Sequence, residues 1–288
     1  MTVPAEVAPV VSDVQRDREA YRRHQARRST GIASASTVVF LVVATVAIIS
    51  SPGWPRVRES FLNVEIARDS FGPVLEGLWL NVRVLVGCAI LVVLLGVLVA
   101  SARTLRGAVF FPVRLLATVY TDLFRGLPLI IVLYLVGFGL PGLRLQGVPT
   151  SPVLLGTIAL VLTYTAYVAE VFRAGIESVH PSQRAAARSL GLTHGQTMRK
   201  VVLPQAVRRV LPPLLNDFVA LQKDVGLISL LGAIDAVRAA QIESARAFNF
   251  TPYVVAGLLF IALAVPSARL ADYVATRANR RQQAGGLV

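Results

Sequence analysis

Apolar residues in this chain are gathered into long runs that polar segments separate. Six such runs cover residues 33–49, 74–100, 113–140, 152–172, 207–231 and 252–273. Each is long enough to cross hydrocarbon about 30 Å thick, because a helix rises about 1.5 Å per residue. Backbone groups in lipid must pair internally, and continuous runs, unlike alternating ones, favour helices over a β-barrel. The pattern therefore predicts an all-α integral membrane protein with six spans.

Composition supports this class. The chain has 288 residues, of which 55% are hydrophobic and only 16% charged, whereas soluble domains carry about 25% charged residues. The net charge of +13 would also suit nucleic acid, but the long apolar runs favour a membrane, where a basic excess is typical of cytoplasmic loops. We therefore expect no nucleic-acid partner.

The distribution of Lys and Arg orients the predicted spans. With the N-terminus inside, the four inner segments carry sixteen Lys and Arg residues, and the three outer segments carry six. Because Lys and Arg accumulate in cytoplasmic loops, this asymmetry predicts that both termini are cytoplasmic. It also places residues 182–206 inside, within reach of a cytosolic partner.

Four regions follow from this topology. Residues 1–32 and 276–288 are interpreted as cytoplasmic tails, the first of them strongly basic. Residues 33–73 form an N-terminal transmembrane anchor and an outer loop. Residues 74–275 form a five-helix core, which contains the cytoplasmic loop 174–206.

The polar stretch 182–206 predicts two short helices. Pro181 suits the start of the first helix, and Gly191 suits the turn just past its end. Thr193 and Gln196 form a capping-box pattern at the start of the second helix, which Pro204 is expected to end. Such a basic helix–turn–helix either binds another protein or is a solvated loop that only fixes the topology.

Polar residues within the third run are costly in a bilayer and therefore raise a functional hypothesis. Asp122 and Arg125 lie three residues apart on one helical face, and Gly126 and Pro128 are expected to break or bend the helix after them. A local Asp122–Arg125 ion pair and a ligand-binding role both fit this pattern.

The fourth run carries hydroxyl groups followed by a pair of opposite charges. Tyr164 and Tyr167 stand among threonines, and these hydroxyls either line a wet cavity or form hydrogen bonds within the protein. Glu170 and Arg173 are three residues apart and are expected to neutralise each other at the inner boundary of the span.

The fifth run contains four polar residues, Asn216, Asp217, Lys223 and Asp224. Such residues must face the bundle, a partner subunit or water. Neighbouring Lys223 and Asp224 do not share a helical face, so separate partners are expected. A substrate with both charges, such as an amino acid, and a structural ion-pair network suit this lining equally well.

Enzyme motifs are absent from the sequence. There is no P-loop, no zinc-protease motif and no Gly-x-Ser-x-Gly motif. The single Cys88 offers no disulfide or cysteine metal site, and the three histidines are scattered. We therefore expect neither catalysis nor a metal or cofactor bound by this chain.

Residues 182–206 resemble the signature cytoplasmic loop of bacterial ATP-binding-cassette importer permeases, in which Glu-Ala-Ala is followed by Gly and later by Leu-Pro. Ala185 stands where the family usually has glutamate. The matching residues are Ala186, Ala187, Gly191, Leu203 and Pro204.

Three further segments are similar to the polar amino-acid subfamily, which includes histidine, glutamine, glutamate, arginine and opine systems. Residues 120–129 resemble its YxELFRGTPL segment, and residues 166–176 resemble AYxAEIFRGGI. Residues 216–229 resemble NxxxxLxKDTSL, with Val-Gly in place of the usual Thr-Ser. The resemblance covers about residues 72–275.

The resemblance implies a permease subunit of an ATP-driven importer in the bacterial cytoplasmic membrane, with glutamate or glutamine as the expected cargo. The implied partners are a dimer of cytosolic ATPases that bind ATP with Mg, a second permease subunit (a sister chain or a second copy) and an extracytoplasmic substrate-binding protein. An ion-coupled secondary amino-acid carrier is the alternative.

Three sets of residues follow. The residues expected to couple the chain to the ATPase are Gln183, Arg184, Ala185, Ala186, Ala187, Arg188, Gly191 and Leu192. The residues expected along the substrate path are Tyr164, Tyr167, Asn216, Asp217, Lys223 and Asp224. The residues expected to be structural are Arg125, Gly126, Pro128, Glu170, Leu203 and Pro204.

Overall fold

The computed structural model describes residues 13–105 and 107–284, and the start of the first predicted tail and the end of the second lie outside these residues. Within them the chain is helical and contains no strand. It divides into two units, residues 1–59 and residues 60–288.

The first unit contains α1 (Asp13–Ile49) and most of α2 (Trp54–Phe61). The part of α1 from Arg28 to Ile49 is long and apolar enough to cross a membrane, as the first hydrophobic run predicts. The short helix α2 lies in the segment that the sequence assigns to an outer loop.

The second unit contains the remaining helices. They are α3 (Val64–Thr104), α4 (Phe111–Gly126), α5 (Leu129–Tyr134), the single turn α6 (Leu140–Gly142), α7 (Pro152–Glu177), α8 (Pro181–Ser189), α9 (His194–Thr197), α10 (Leu203–Asp224), α11 (Ala236–Ala247) and α12 (Thr251–Ala284). Wide π turns cover Leu135–Gly139 and Met198–Val202, and 3-10 turns cover Ala108–Phe110 and Val225–Leu231.

Four helical segments in the described residues are long and apolar enough to span a membrane. They are Arg28–Ile49, Trp54–Thr104, Pro152–Glu177 and Thr251–Arg277. Two bent pairs raise the number to six if each pair is one span: Ala108–Gly126 with Leu129–Gly142, bent by 107°, and His194–Leu231 with Ala236–Ala247, bent by 53°. Length and composition are therefore compatible with the six predicted spans.

The break that Gly126 and Pro128 predict in the third run is confirmed. Helix α4 ends at Gly126, Leu127 adopts an extended conformation, and α5 begins directly after Pro128. A residue that precedes proline avoids the helical region, which explains the position of the break.

The prediction that Pro204 ends the second helix of the cytoplasmic loop is wrong. Pro204 lies in the first turn of α10, directly after the π turn Met198–Val202, and the helical path continues to Leu231. The Leu203 N–H bonds to the Met198 carbonyl across the π turn, so the helical path continues past Pro204 although the proline itself donates no hydrogen bond.

Residues 232–251, predicted as an outer segment, contain a helix that packs into the core. Ala236, Ala239 and Ala240 of α11 are buried against Val74 and Leu78 of α3. Small alanines allow the two helices to approach closely, so this amphipathic helix adds a layer that hydropathy alone does not reveal.

A buried polar network fixes the start of α11. The Asn81 side-chain amide donates to Asp235 Oδ2 at 2.9 Å, and its carbonyl oxygen accepts from the Ala236 N–H at 3.0 Å. Asp235 also caps α11 by accepting from the Arg238 N–H. In hydrocarbon these groups would be costly without partners, so the network holds α3 and α11 in one register.

Helix α7 lies at the centre of the second unit. It packs against α3, α4, α5 and α10, and Leu155, Ala159 and Leu160 are almost completely buried. Any residue on α7 is therefore held by several neighbours at once, which suits a helix that carries a site.

We predict that Gly77→Ala destabilises the protein, whereas Gly87→Ala on the same helix does not. A Cβ at Gly77 would lie 2.4 Å from the Asp235 carbonyl carbon, whereas a Cβ at Gly87 would meet nothing within 4 Å. Overpacking against backbone costs about 1–3 kcal/mol, and an unhindered Gly→Ala change in a helix gains up to about 1 kcal/mol. Thermal melts of purified protein in detergent measure both effects, and equal melting temperatures for the two variants would contradict the packing of α11 on α3.

Candidate functional site

A cavity of about 190 Å³ lies between α5, α7 and α10. Its lining residues are Leu129, Thr163, Tyr164, Tyr167, Asp217, Ala220 and Asp224. The three residues from α10 are spaced three and four positions apart, which places them on one helical face. On α7, Tyr167 lies four positions after Thr163 and three after Tyr164, so it is a helical neighbour of both. The polar residues of α7 and those of α10 therefore meet at the same height in a bundle that is otherwise apolar.

Hydrogen bonding within the cavity is incomplete. The Tyr164 hydroxyl donates to Asp224 Oδ2 at 2.8 Å. Asp217 Oδ2 and Thr163 Oγ1 are buried without a hydrogen-bond partner in the described structure. Buried polar groups are normally paired, so these two atoms are available to a ligand or to water.

Four of the six predicted substrate-path residues meet in this cavity: Tyr164, Tyr167, Asp217 and Asp224. The other two, Asn216 and Lys223, are exposed and do not line it. Asp224 lines the cavity and Lys223 does not, which agrees with the expectation that the two residues face different surroundings. Adjacent residues of a helix point about 100° apart.

A cluster of charges surrounds Glu170, about one turn after Tyr167 on α7. Glu170 accepts from Arg173 at 2.5 Å and from Arg103 of α3 at 2.7 Å, and Arg125 of α4 lies 3.8 Å away. Arg173 also pairs with Glu177. The predicted Glu170–Arg173 pair is therefore confirmed, and the structure adds two arginines from other helices.

Arg125 lies beside Glu170, and no ion pair joins it to Asp122 among the described residues. The sequence-based pairing of Asp122 with Arg125 is therefore not the one that forms. Arg125 lies near Glu170 of another helix and, in the described structure, does not pair with Asp122 of its own helix. The Glu170 carboxylate is the group that three arginine side chains approach.

The loop 182–206 has the predicted helix–turn–helix structure. Gly191 has a positive φ of 78°, and the Leu192 N–H bonds to the Ala187 carbonyl at 3.2 Å, which together form a Schellman-type end to α8. Thr193 and Gln196 form the predicted capping box at the start of α9. The sharp turn is therefore set by a few local residues.

Most of the predicted coupling residues are accessible. Gln183, Ala185, Ala186, Arg188 and Gly191 are exposed, Arg184 and Leu192 are partly buried, and Ala187 is buried against the loop. The turn also exposes Leu190, 82% accessible, which the predicted set omits. In the sequence, a large apolar residue directly before the glycine of the turn is the feature that could have indicated Leu190 as a coupling residue.

One arginine of this loop and one of α10 bind carbonyl groups at the end of α7. Arg184 of α8 donates to the Ile176 carbonyl, and Arg209 of α10 donates to the Ser178 carbonyl. The last carbonyl groups of a helix have no intrahelical donors, so cationic side chains stabilise them. Leu203 and Pro204, the remaining predicted structural residues, lie at the start of α10 between these two contacts.

The described residues contain no group of three or more His, Cys, Asp or Glu side chains that could hold a metal ion. Cys88 is buried in α3. The polar features of the second unit are thus a cavity, a charge cluster and an exposed loop.

The described structure thus combines apolar helices long enough to span a membrane, a cavity with polar lining residues and an exposed helix–turn–helix. Residues 92–280 match the family described as binding-protein-dependent transport system inner membrane component. The chain belongs to this family, and it is a multi-pass protein of the plasma membrane.

Relatives within this group carry amino-acid names. A probable glutamine ABC transporter permease of Bacillus subtilis is 34% identical over 76% of this chain and 99% of its own length. An arginine transport system permease of the same organism is 34% identical over 66% of this chain and 85% of its own length.

Solved structures agree with the fold. An amino-acid ABC transporter crystallised with histidines matches with a TM-score of 0.66 and 31% identity, over 72% of this chain and 94% of the other. A methionine ABC transporter in an inward-facing conformation matches with a TM-score of 0.59 and 16% identity, over 72% and 96%. At that identity the second match concerns the fold alone.

We predict that Glu170→Gln destabilises the protein strongly, whereas Glu177→Gln has little effect. Loss of the Glu170 charge leaves Arg103 and Arg173, with side chains 12% and 28% exposed, without their shared partner. Breaking a buried ion pair from one side costs about 3 kcal/mol or more, and removing an exposed one costs about 1 kcal/mol or less. The Glu177 side chain is 59% exposed.

Thermal unfolding in detergent, with each variant compared with wild type, checks this prediction. Both changes replace one carboxylate on α7 by an amide of the same shape, so the difference isolates the position of the charge. A Glu177→Gln variant that melts as low as Glu170→Gln would contradict the central role of Glu170.

Proposed function

We propose that this chain is the membrane-spanning permease subunit of an ATP-driven importer for a polar amino acid. Its family membership and the amino-acid names of its relatives support the cargo class. The single observation that carries the proposal is the cavity on α7 and α10, whose lining contains four residues expected along a substrate path.

The proposed assembly contains more than this chain. A second permease subunit completes the pathway, a dimer of cytosolic ATPases binds ATP with Mg, and an extracytoplasmic binding protein delivers the cargo. This chain contributes six spans with both termini in the cytoplasm and contributes no nucleotide site of its own. The family description, which names dependence on a binding protein, supports the last of these partners.

In the proposed mechanism the ATPase binds α8 and the turn at Gly191. The Arg184 and Arg209 contacts transmit its motion to the end of α7, because both arginines hold carbonyl groups there. Helix α7 carries the cavity tyrosines about three turns away, so a tilt of this helix changes the access to the cavity. Nucleotide shifts the balance between inward- and outward-open states only through its different affinity for them.

Reconstitution of the full complex in proteoliposomes tests this function. Amino-acid uptake should require the ATPase, ATP and loaded binding protein, and it should stop when the ATPase is omitted. Uptake by this chain without an ATPase, driven by a Na⁺ or H⁺ gradient, would overturn the proposal in favour of an ion-coupled secondary carrier.

We predict that Gly191→Val uncouples the transporter, whereas Gly195→Val does not. Valine is strongly disfavoured at the positive φ of Gly191, so the turn must rearrange and displace the exposed end of α8. Gly195 lies four residues away in α9 without a positive φ, and a Cβ there meets nothing within 4 Å.

The measurements are binding of the ATPase to detergent-solubilised permease and stimulation of ATP hydrolysis by loaded binding protein. We expect both to fall at least about tenfold for Gly191→Val, because a conformational cost above 1.4 kcal/mol changes an equilibrium by that factor. Wild-type stimulation in Gly191→Val would show that the turn geometry is irrelevant to coupling.

A further inference from the structure

The cavity between α5, α7 and α10 carries acidic charge without a matching cation. Its ionisable acids are Asp217 and Asp224, and no Lys, Arg or His is among its lining residues. Its other polar groups are the hydroxyls of Thr163, Tyr164 and Tyr167. The lining therefore offers hydrogen-bond acceptors and two carboxylates.

Basic residues that are close in sequence to the cavity residues do not line the cavity. Lys223 is exposed and lies outside the cavity lining, although it is adjacent to Asp224 in sequence. Arg103 and Arg173 are paired with Glu170, which lies three residues after the lining residue Tyr167 on α7. No basic side chain therefore stands beside the two acids in the cavity lining.

The two acids differ in how they are held. Asp224 Oδ2 accepts the hydrogen bond from Tyr164, which fixes its position. Asp217 Oδ2 is buried and accepts none. Thr163, only 2% exposed, also leaves its hydroxyl unpaired in the lining. A fixed acid, an unpaired acid and an unpaired hydroxyl in one cavity form an incomplete binding site.

The charge of the missing ligand follows from electrostatics. A buried carboxylate without a partner is costly, and an ion pair strengthens as the surroundings become less polar. A cationic group would satisfy Asp217 and would also suit the faces of Tyr164 and Tyr167, because aromatic rings attract cations. Every amino acid brings an α-ammonium and an α-carboxylate group, which cancel. Only a basic side chain then gives the ligand a net positive charge to set against Asp217 and Asp224, whereas glutamine is neutral overall and glutamate is negative.

We propose that the cavity receives the cationic side chain of a basic amino acid, a guanidinium or an ammonium group, with Asp217 as its ion-pair partner. Asp224, positioned by Tyr164, supplies a second acceptor, and Thr163 supplies a hydroxyl to the same ligand. This inference rests on the proposed function and selects within its cargo class. It departs from the glutamate or glutamine that the sequence resemblance suggests.

Equilibrium binding of radiolabelled arginine, lysine, glutamine and glutamate to the complete transporter tests the inference. The complex is used without the binding protein, so that the preference measured is that of the membrane subunits. We expect arginine or lysine to bind more tightly than glutamine and glutamate.

The decisive variant is Asp217→Asn, which keeps the shape and removes the charge. It should weaken binding of the basic amino acid about tenfold or more, the loss typical of a hydrogen bond to a charged group. The matched control is Asp122→Asn, an exposed acid in α4 outside the cavity lining, which should bind as wild type does. Basal ATP hydrolysis of each complex verifies that the variant is folded, and Thr163→Val provides a second, uncharged perturbation of the same site.

Three results would overturn the inference: tighter binding of glutamine or glutamate, unchanged binding of the basic amino acid in Asp217→Asn, or no binding of any amino acid by a complex that transports. If one of these results is found but glutamine uptake still depends on ATP, only the inference about the basic side chain is wrong and the proposed function is retained. Uptake without the ATPase would contradict the proposed function itself, so the two failures are distinguishable.

Discussion

Hydrocarbon offers no hydrogen-bond partners, so each polar group inside this bundle must be satisfied by the protein. Glu170 meets this requirement by accepting hydrogen bonds from Arg103 and Arg173. Asn81 meets it by donating to Asp235 and accepting from the backbone of α11. These contacts connect α3, α7 and α11 more specifically than apolar packing does. Asp217 and Thr163 are among several buried side chains with an unpaired polar atom in the described structure, which also include Thr197 and Gln222. Asp217 and Thr163 differ from those two in lining the cavity that we propose as the cargo site.

Helix α7 links the two functional regions because it carries a different polar group at each level. Its middle lines the cavity with Tyr164 and Tyr167, its C-terminal half holds Glu170, and the carbonyl groups of Ile176 and Ser178 at its C-terminal end accept from Arg184 and Arg209. In the proposed mechanism, displacement of the loop at this end tilts α7 and so changes the access to the cavity.

Local signals were predictable from the sequence, and contacts between distant residues were not. The turn at Gly191, the capping box at Thr193 and the break after Gly126 depend on a few neighbouring residues, and all three are confirmed. The packing of α11 and the Arg103–Glu170 pair join positions far apart in sequence, so no local pattern contains them. The wrong prediction at Pro204 has a different origin, because the π turn directly before α10 was not expected from the sequence. The sequence indicated which polar residues could line a substrate path, but only the fold shows that Asn216 and Lys223 lie outside the cavity.

The most direct test of the account is whether the exposed turn lies in the cytoplasm and is covered by an ATPase. The sequence has one cysteine, the buried Cys88, so Leu190→Cys adds a single accessible thiol at the tip of the turn. A membrane-impermeant maleimide should label it in inside-out vesicles, should not label it in right-side-out vesicles, and should lose access when the ATPase binds. Labelling from the outside, or labelling that the bound ATPase does not reduce, would contradict the account.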